Sequence, residues 1–124
     1  TREARERNRD FSNSFLETSV AEHGVTEGLS NLIEELTVRR HRLLALEHEL
    51  YLLAIRNPVV REESRQWSTD FVDLLSRHTD RLTALSLGYL FDGVCMQAVV
   101  FDTQFFSADV EPAIRRVIEA PPAQ

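Results

Sequence analysis

Apolar residues recur along this chain at intervals of three and four, and polar breaks divide the recurrence into six helical stretches. Over residues 2–22, Phe11, Phe15, Leu16, Ser19 and Val20 share one side of a polar, helix-prone segment that His23 and Gly24 end. Thr26 can cap a shorter second helix whose stripe is Leu29, Leu32, Ile33 and Leu36. The junction over residues 37–42 carries no decisive signal. From about Arg40 a third helix places Leu43, Leu46, Leu50 and Leu53 on one face, with Leu44, Tyr51 and Ile55 beside them, so most of its surface is covered. Asn57-Pro58 joins a favoured N-cap residue to proline at the first helical position and opens a fourth helix, striped by Val60, Ser64, Trp67, Phe71, Leu74 and Leu75. His78, Thr79 and Asp80 make the next turn, with Asp80 as the cap of a fifth helix that runs to Phe101. After DTQFFSAD, the sixth covers residues 110–119 with Val110, Ala113, Ile114, Val117 and Ile118 in a stripe; Pro112 falls in its first turn and Ala120-Pro121-Pro122 stops it. No segment alternates as a strand would, and no internal period appears. The pattern predicts an all-α, single-domain bundle of about six helices.

The fifth helix is apolar almost all the way round and yet holds Asp92, Gly93 and Gln97. At the helical repeat Leu85, Tyr89, Asp92 and Met96 share a face, Leu87, Phe91, Val94 and Ala98 lie roughly opposite, and Ser86, Leu90, Gly93 and Gln97 form a third, thinner stripe. A hydroxyl, a carboxylate and a thioether on one face suit a small-molecule cavity wall. The small residues of the third stripe admit a close neighbouring helix, from the same chain or from a symmetry mate. A central core helix packed wholly within its own chain reads the same way. Membrane insertion is disfavoured by Asp92 and Gln97 at mid-segment and by the absence of a basic flank or aromatic belt.

A length of 124 residues supports one domain with a real core. Fourteen basic residues, all arginine, stand against 20 acidic ones, and a net charge of −6 argues against this segment gripping a phosphate backbone. Cys95 is the only cysteine, which excludes an internal disulfide and fits a reducing cytoplasm; its apolar neighbours suggest a buried, inert thiol. No signal segment opens the chain, and its start within a charged helical pattern reads as part of something longer. His41 and His48 are seven apart, without the helical spacings that metal sites use, and there is no phosphate loop or nucleophile elbow. Neither an enzyme nor a metal or cofactor site is expected. Arg2, Arg5, Arg7 and Arg9 alternate with Glu3, Glu6 and Asp10, as on a solvated helix face or a connector. Tyr51, Trp67, Phe71 and Tyr89 are explained equally by core filling or, if they converge with His48, Asp92 and Met96, by a pocket.

Two stretches carry a resemblance. LLALEHELYLLAIRNPVVREESRQW, residues 43–67, resembles the effector domain of TetR-family transcriptional regulators, where a leucine-rich helix with an aromatic ends in Arg-Asp/Asn-Pro. LGYLFDGVCMQAVV, residues 87–100, is similar to that family's penultimate helix, and DVEPAIRRVIE to its last. The resemblance implies a ligand-binding and dimerisation domain whose last two helices form a four-helix interface in a homodimer. Carried onto this chain, it implies an interface through Ser86, Leu90, Gly93, Gln97, Ile114, Val117 and Ile118. The implied effector pocket draws on His48, Tyr51, Trp67, Phe71, Tyr89, Asp92 and Met96, assigned from helix faces. It further implies a cytoplasmic, ligand-responsive repressor with a small apolar or amphipathic effector. Operator DNA would be bound only through a helix-turn-helix domain absent from this chain, to which residues 1–22 would connect. Two other readings stay open: a stand-alone helical binding or dimerisation module, and a small helical enzyme. The turn at residues 78–80 is short for the family.

Overall fold

Gly24 divides the first helix into two arms. The computed structural model describes residues 2–120, and α1 (Arg2–Glu34) bends where Gly24 adopts φ 87° and ψ 175°, a backbone state that residues with a Cβ adopt only under strain. The break expected at His23-Gly24 is therefore this bend, and the first two predicted helices are arms of one element. Five α-helices, rather than six, follow one another among the described residues: α1, α2 (His41–Leu52), α3 (Pro58–Ser76), α4 (Arg81–Val100) and α5 (Ser107–Glu119). Strands are absent from these residues, as the pattern predicts.

The undecided junction is a π-helical turn, Glu35–Arg39, that shifts the chain's direction into α2. It is anchored from inside. The fully buried Thr37 hydroxyl donates to the Phe105 carbonyl and accepts from the Phe105 N–H, both at 3.0 Å, tying the junction to the α4–α5 connection. Nearby, Glu34 accepts from the Ser107 N–H at the start of α5, a bond that with Arg39 holds its carboxyl below the usual range.

The two sequence-read caps form as expected: Asn57 Oδ1 accepts from the N–H groups of Val59 and Val60, and Asp80 Oδ2 from that of Thr83. α5 differs. It begins at Ser107, three residues before the expected start, because the Asp109 carboxylate accepts from the Phe106 N–H; Pro112 thus lies in the second turn, on the exposed side. Ala120 leaves the helix at ψ 133°, the extended state a following proline favours. Pro121 and Pro122 lie outside the described residues.

α1 packs chiefly on α5, and α3 on α4, while α4 touches every other helix. That central place explains the apolar wrapping of α4. Its buried face (Ala84, Leu87, Phe91, Cys95, Ala98) meets Phe71, Val72, Leu74 and Leu75 of α3 in one core with Leu29, Leu32 and Ile33 of α1 and Val110 and Ile114 of α5. By length and composition α4 could also cross a membrane, but it is here the core helix of a bundle, with Asp92 and Gln97 on its exposed sides. Ile114, expected to face a partner subunit, is 0 % exposed, since the large α1–α5 contact encloses it. Val117 and Ile118 lie half-buried at the edge of the core.

Candidate functional site

The second half of α2 approaches α4 without filling the space between them, and a cavity of about 290 Å³ remains. Glu47, His48 and Tyr51 reach it from α2, Trp67 from α3, and Phe91, Asp92, Cys95 and Met96 from α4; Ser12 of α1 closes its far side. Of the seven residues expected to form a pocket, His48, Tyr51, Trp67, Asp92 and Met96 come together here.

Two do not. Phe71 stands behind the wall, stacked on Phe91 at 4.6 Å between ring centroids, and supports the cavity without lining it. Tyr89 is 71 % exposed on the open side of α4: it has nearly the azimuth of Met96 but stands two turns, about 10 Å, before it along the helix, short of the stretch from Phe91 to Met96 that lines the cavity. Ser12, Leu36, Leu44, Glu47, Leu52, Phe91 and Cys95 line the cavity as well and were not expected there. For Glu47 a signal existed: Leu44 and Tyr51 lie three positions before and four after it, so it interrupts an apolar stripe.

Burial sets the electrostatics. It pushes the carboxyls of Glu47 and Asp92 up and holds His48 toward its neutral form, stacked on Tyr51. Asn8 hydrogen-bonds Glu47 and partly opposes the shift, with help from the charges of Arg40 and Arg9. Asp92 has neither hydrogen bond nor ion pair among the described residues. Burial, Asp92 and Glu47 all push the Cys95 thiol up, so it is inert as a nucleophile, as its apolar neighbours suggested. The Trp67 Nε1–H is buried with no acceptor among the described residues.

A carboxyl raised by folding loses its favourable contribution as pH climbs through the raised value, so ionised Glu47 burdens the fold at pH 7. Glu47→Gln keeps the Asn8 partnership without the charge. It is expected to raise the thermal midpoint by about 2–5 °C at pH 7, and by nothing at a pH low enough to protonate Glu47; calorimetry at both pH values checks this.

A smaller recess of about 80 Å³ shares Ser12, Glu47, Tyr51 and Trp67 with the cavity and extends toward the first arm of α1. There Arg5 donates twice to Glu63 Oε2, at 3.0 and 2.9 Å, and Arg9 donates to the Glu63 carbonyl at 3.3 Å. Arg2 adds an ion pair at 3.8 Å. Three of the four arginines read as a solvated face or connector, Arg2, Arg5 and Arg9, thus converge on Glu63 of α3. No group of three or more histidine, cysteine, aspartate or glutamate side chains is placed to hold a metal among the described residues. His41 sits apart from His48, its Nε2 3.0 Å from the Ala98 carbonyl.

A second surface lies outside the cavity. Leu82, Tyr89, Val100 and Phe101 are all exposed along the outer side of α4, and Gly93 between them has nothing within 4 Å of where a Cβ would stand.

Among curated proteins no match is found. The crystal structure of a candidate transcriptional regulator, SCO7518 from Streptomyces coelicolor A3(2), is similar at 28 % identity with a TM-score of 0.80, over 96 % of this chain and 71 % of that one. The family described as tetracyclin repressor-like, C-terminal domain, matches residues 20–120. With its all-helical bundle and no helix-turn-helix segment in the match, the chain belongs to the C-terminal domains of TetR-like transcriptional regulators, which are not an enzyme family.

Proposed function

We propose that this chain is the effector-binding and dimerisation part of a cytoplasmic, ligand-responsive repressor. The observation that carries this reading is the shared wall: Trp67 and Tyr51 line both the cavity and the recess where Arg5 and Arg9 grip Glu63. A small molecule entering the cavity must displace or order these two side chains. It thereby acts on the first arm of α1, and the stretch over residues 1–22 would lead to a DNA-binding domain. Effector binding would then bias the equilibrium between two arm orientations, and with it the spacing of two such domains on an operator.

The dimer surface proposed is the outer side of α4, through Ser86, Leu90, Gly93 and Gln97 with Leu82, Tyr89 and Val100, joined by Val117 and Ile118 of α5. A glycine in mid-helix costs about 1 kcal/mol relative to alanine. Nothing in its own subunit calls for Gly93, whereas the close approach of a partner helix does.

Trp67 is the sole tryptophan of the chain, so its emission reports the cavity directly. A compound that saturably shifts this emission is expected to change the hydrogen exchange of residues 2–12 and leave residues 29–33 of the core unaltered. Saturable binding with no response in residues 2–12 would overturn the proposed coupling.

A further inference from the structure

The cavity has an uneven chemistry. Its walls are aromatic and apolar, from Tyr51, Trp67, Phe91 and Met96, and its charged groups are two carboxylates, Glu47 and Asp92. No arginine lines it among the described residues. The nearest guanidinium groups are engaged elsewhere: Arg9 with Glu63, and Arg40 over the Phe11 ring at 3.5 Å from its centroid. Among the described residues Asp92 is unpaired, Glu47 has only the neutral Asn8 as a hydrogen-bond partner and feels Arg9 and Arg40 from outside the lining, and both carboxylates act on the single thiol of Cys95, which places them around one stretch of wall. His48, held toward neutrality by its burial, supplies no compensating charge.

We propose that the cavity selects an amphipathic organic cation, a substituted ammonium group carried on an aromatic or branched apolar body. The inference rests on the effector-cavity reading above and names the ligand class for it. Two features select such a molecule over a neutral one of equal size. The faces of Trp67, Tyr51 and Phe91 attract a cation through their ring quadrupoles, and a weakly hydrated ammonium gives up little solvation to reach them. Asp92 gains the counter-charge it lacks when the ligand enters, and Glu47 gains a nearer one than Arg9 and Arg40, which stand outside the cavity lining. Selection against an anion follows from the same two carboxylates. The size also fits. A dry cavity of about 150 Å³ holds benzene, so about twice that volume accommodates roughly ten to twelve non-hydrogen atoms. The buried Trp67 N–H offers one further anchor, for an acceptor oxygen on the ligand.

Three probes of matched size separate the possibilities on the 124-residue chain, read by Trp67 emission and by calorimetry: benzyltrimethylammonium, its uncharged isostere neopentylbenzene, and the anion 3-phenylpropionate. The cation is expected to bind about tenfold or more tightly than either of the others. In the Glu47→Gln/Asp92→Asn double variant that preference is expected to vanish, with neopentylbenzene affinity unchanged within about twofold. Near-isosteric amides keep the fold, and a thermal melt of each single and double variant confirms it. Equal or tighter binding of the neutral or anionic probe overturns the ligand class and leaves the effector cavity standing. A cation preference that survives the double variant overturns the role of the carboxylates, and no binding of any probe overturns the cavity reading itself.

Discussion

Gly93→Leu is expected to turn the protein into a monomer without harming its fold. In the subunit, nothing lies within 4 Å of where a Cβ at Gly93 would stand, so a leucine there starts into open space, and replacing a mid-helix glycine adds helix propensity of up to about 1 kcal/mol. Across a tight helix–helix contact the same four carbons have nowhere to go. Overpacking a close contact costs about 1–3 kcal/mol, and a twofold axis repeats the insult, so the dimer dissociation constant should rise about 100-fold or more. Sedimentation or light scattering at micromolar concentration should read twice the 14.3 kDa chain mass for the unaltered protein and a single chain for the variant. The thermal midpoint at dilutions where both are monomers should be equal or higher in the variant. Binding of a cavity ligand should change by less than about threefold, because Gly93 does not line the cavity. A variant that stays dimeric but loses its ligand would mean that the faces of α4 have been exchanged, and an unaltered chain that is already monomeric would remove the dimer altogether.

The faces of α4 were read from the sequence with mixed success, and the reasons are physical. Periodicity sorts buried from exposed well when one side of a helix meets a core: Leu87, Phe91 and Ala98 are inward as predicted. Capping chemistry is equally local, which is why Asn57 and Asp80 are legible as helix starts. What the pattern does not contain is which neighbour covers an apolar face. Ile114 has the spacing of an interface residue, yet it is sealed by α1, a contact between residues some eighty positions apart in the chain. Tyr89 and Asp92 are three positions apart and were grouped together. Tyr89 is one turn short of the stretch that lines the cavity and points about 60° aside from Asp92, which borders the cavity from an exposed side of α4. The π-helical turn at Glu35–Arg39 left no local signature because its cause is remote, the paired hydrogen bonds between Thr37 and Phe105.

The candidate site illustrates the same division. Five pocket residues were found because aromatics and a carboxylate on covered helices are conspicuous, while Ser12 was missed because it arrives from α1, whose bend at Gly24 no stripe encodes in three dimensions. Likewise, charge alternation identified Arg2, Arg5 and Arg9 as a polar face, but only the folded chain brings Glu63 to them. Recognition of the family rested on two short motifs, and these reported the architecture that the bundle bears out.

Gly28→Ala is expected to be the most destabilising single methyl that can be added to this chain's bend. A Cβ at Gly28 would stand 2.6 Å from Val20 Cγ2 and 2.8 Å from both the Cα and the N of Val20, across the two arms of α1. Side chains yield to such crowding, but backbone does not, so the arms must spread. We expect a loss of about 3 kcal/mol and a fall of roughly 10–15 °C in the thermal midpoint. Spreading also turns the first arm, which carries Arg5 and Arg9, against its anchor on Glu63. Hydrogen exchange of residues 2–12 should therefore quicken in the folded variant, beyond what global unfolding accounts for. Gly24→Ala makes a useful contrast: it has free space around it and suffers only from its backbone state at φ 87°, a cost of about 1–3 kcal/mol with no reason for the arms to part. A second-site change decides the cause. Val20→Ala removes the Cγ2 contact and leaves the Cα and N in place, so it should recover only a minor share of the stability lost in Gly28→Ala. Full recovery would mean that the valine side chain alone was in the way, and that the close approach of the two backbones does not set the bend.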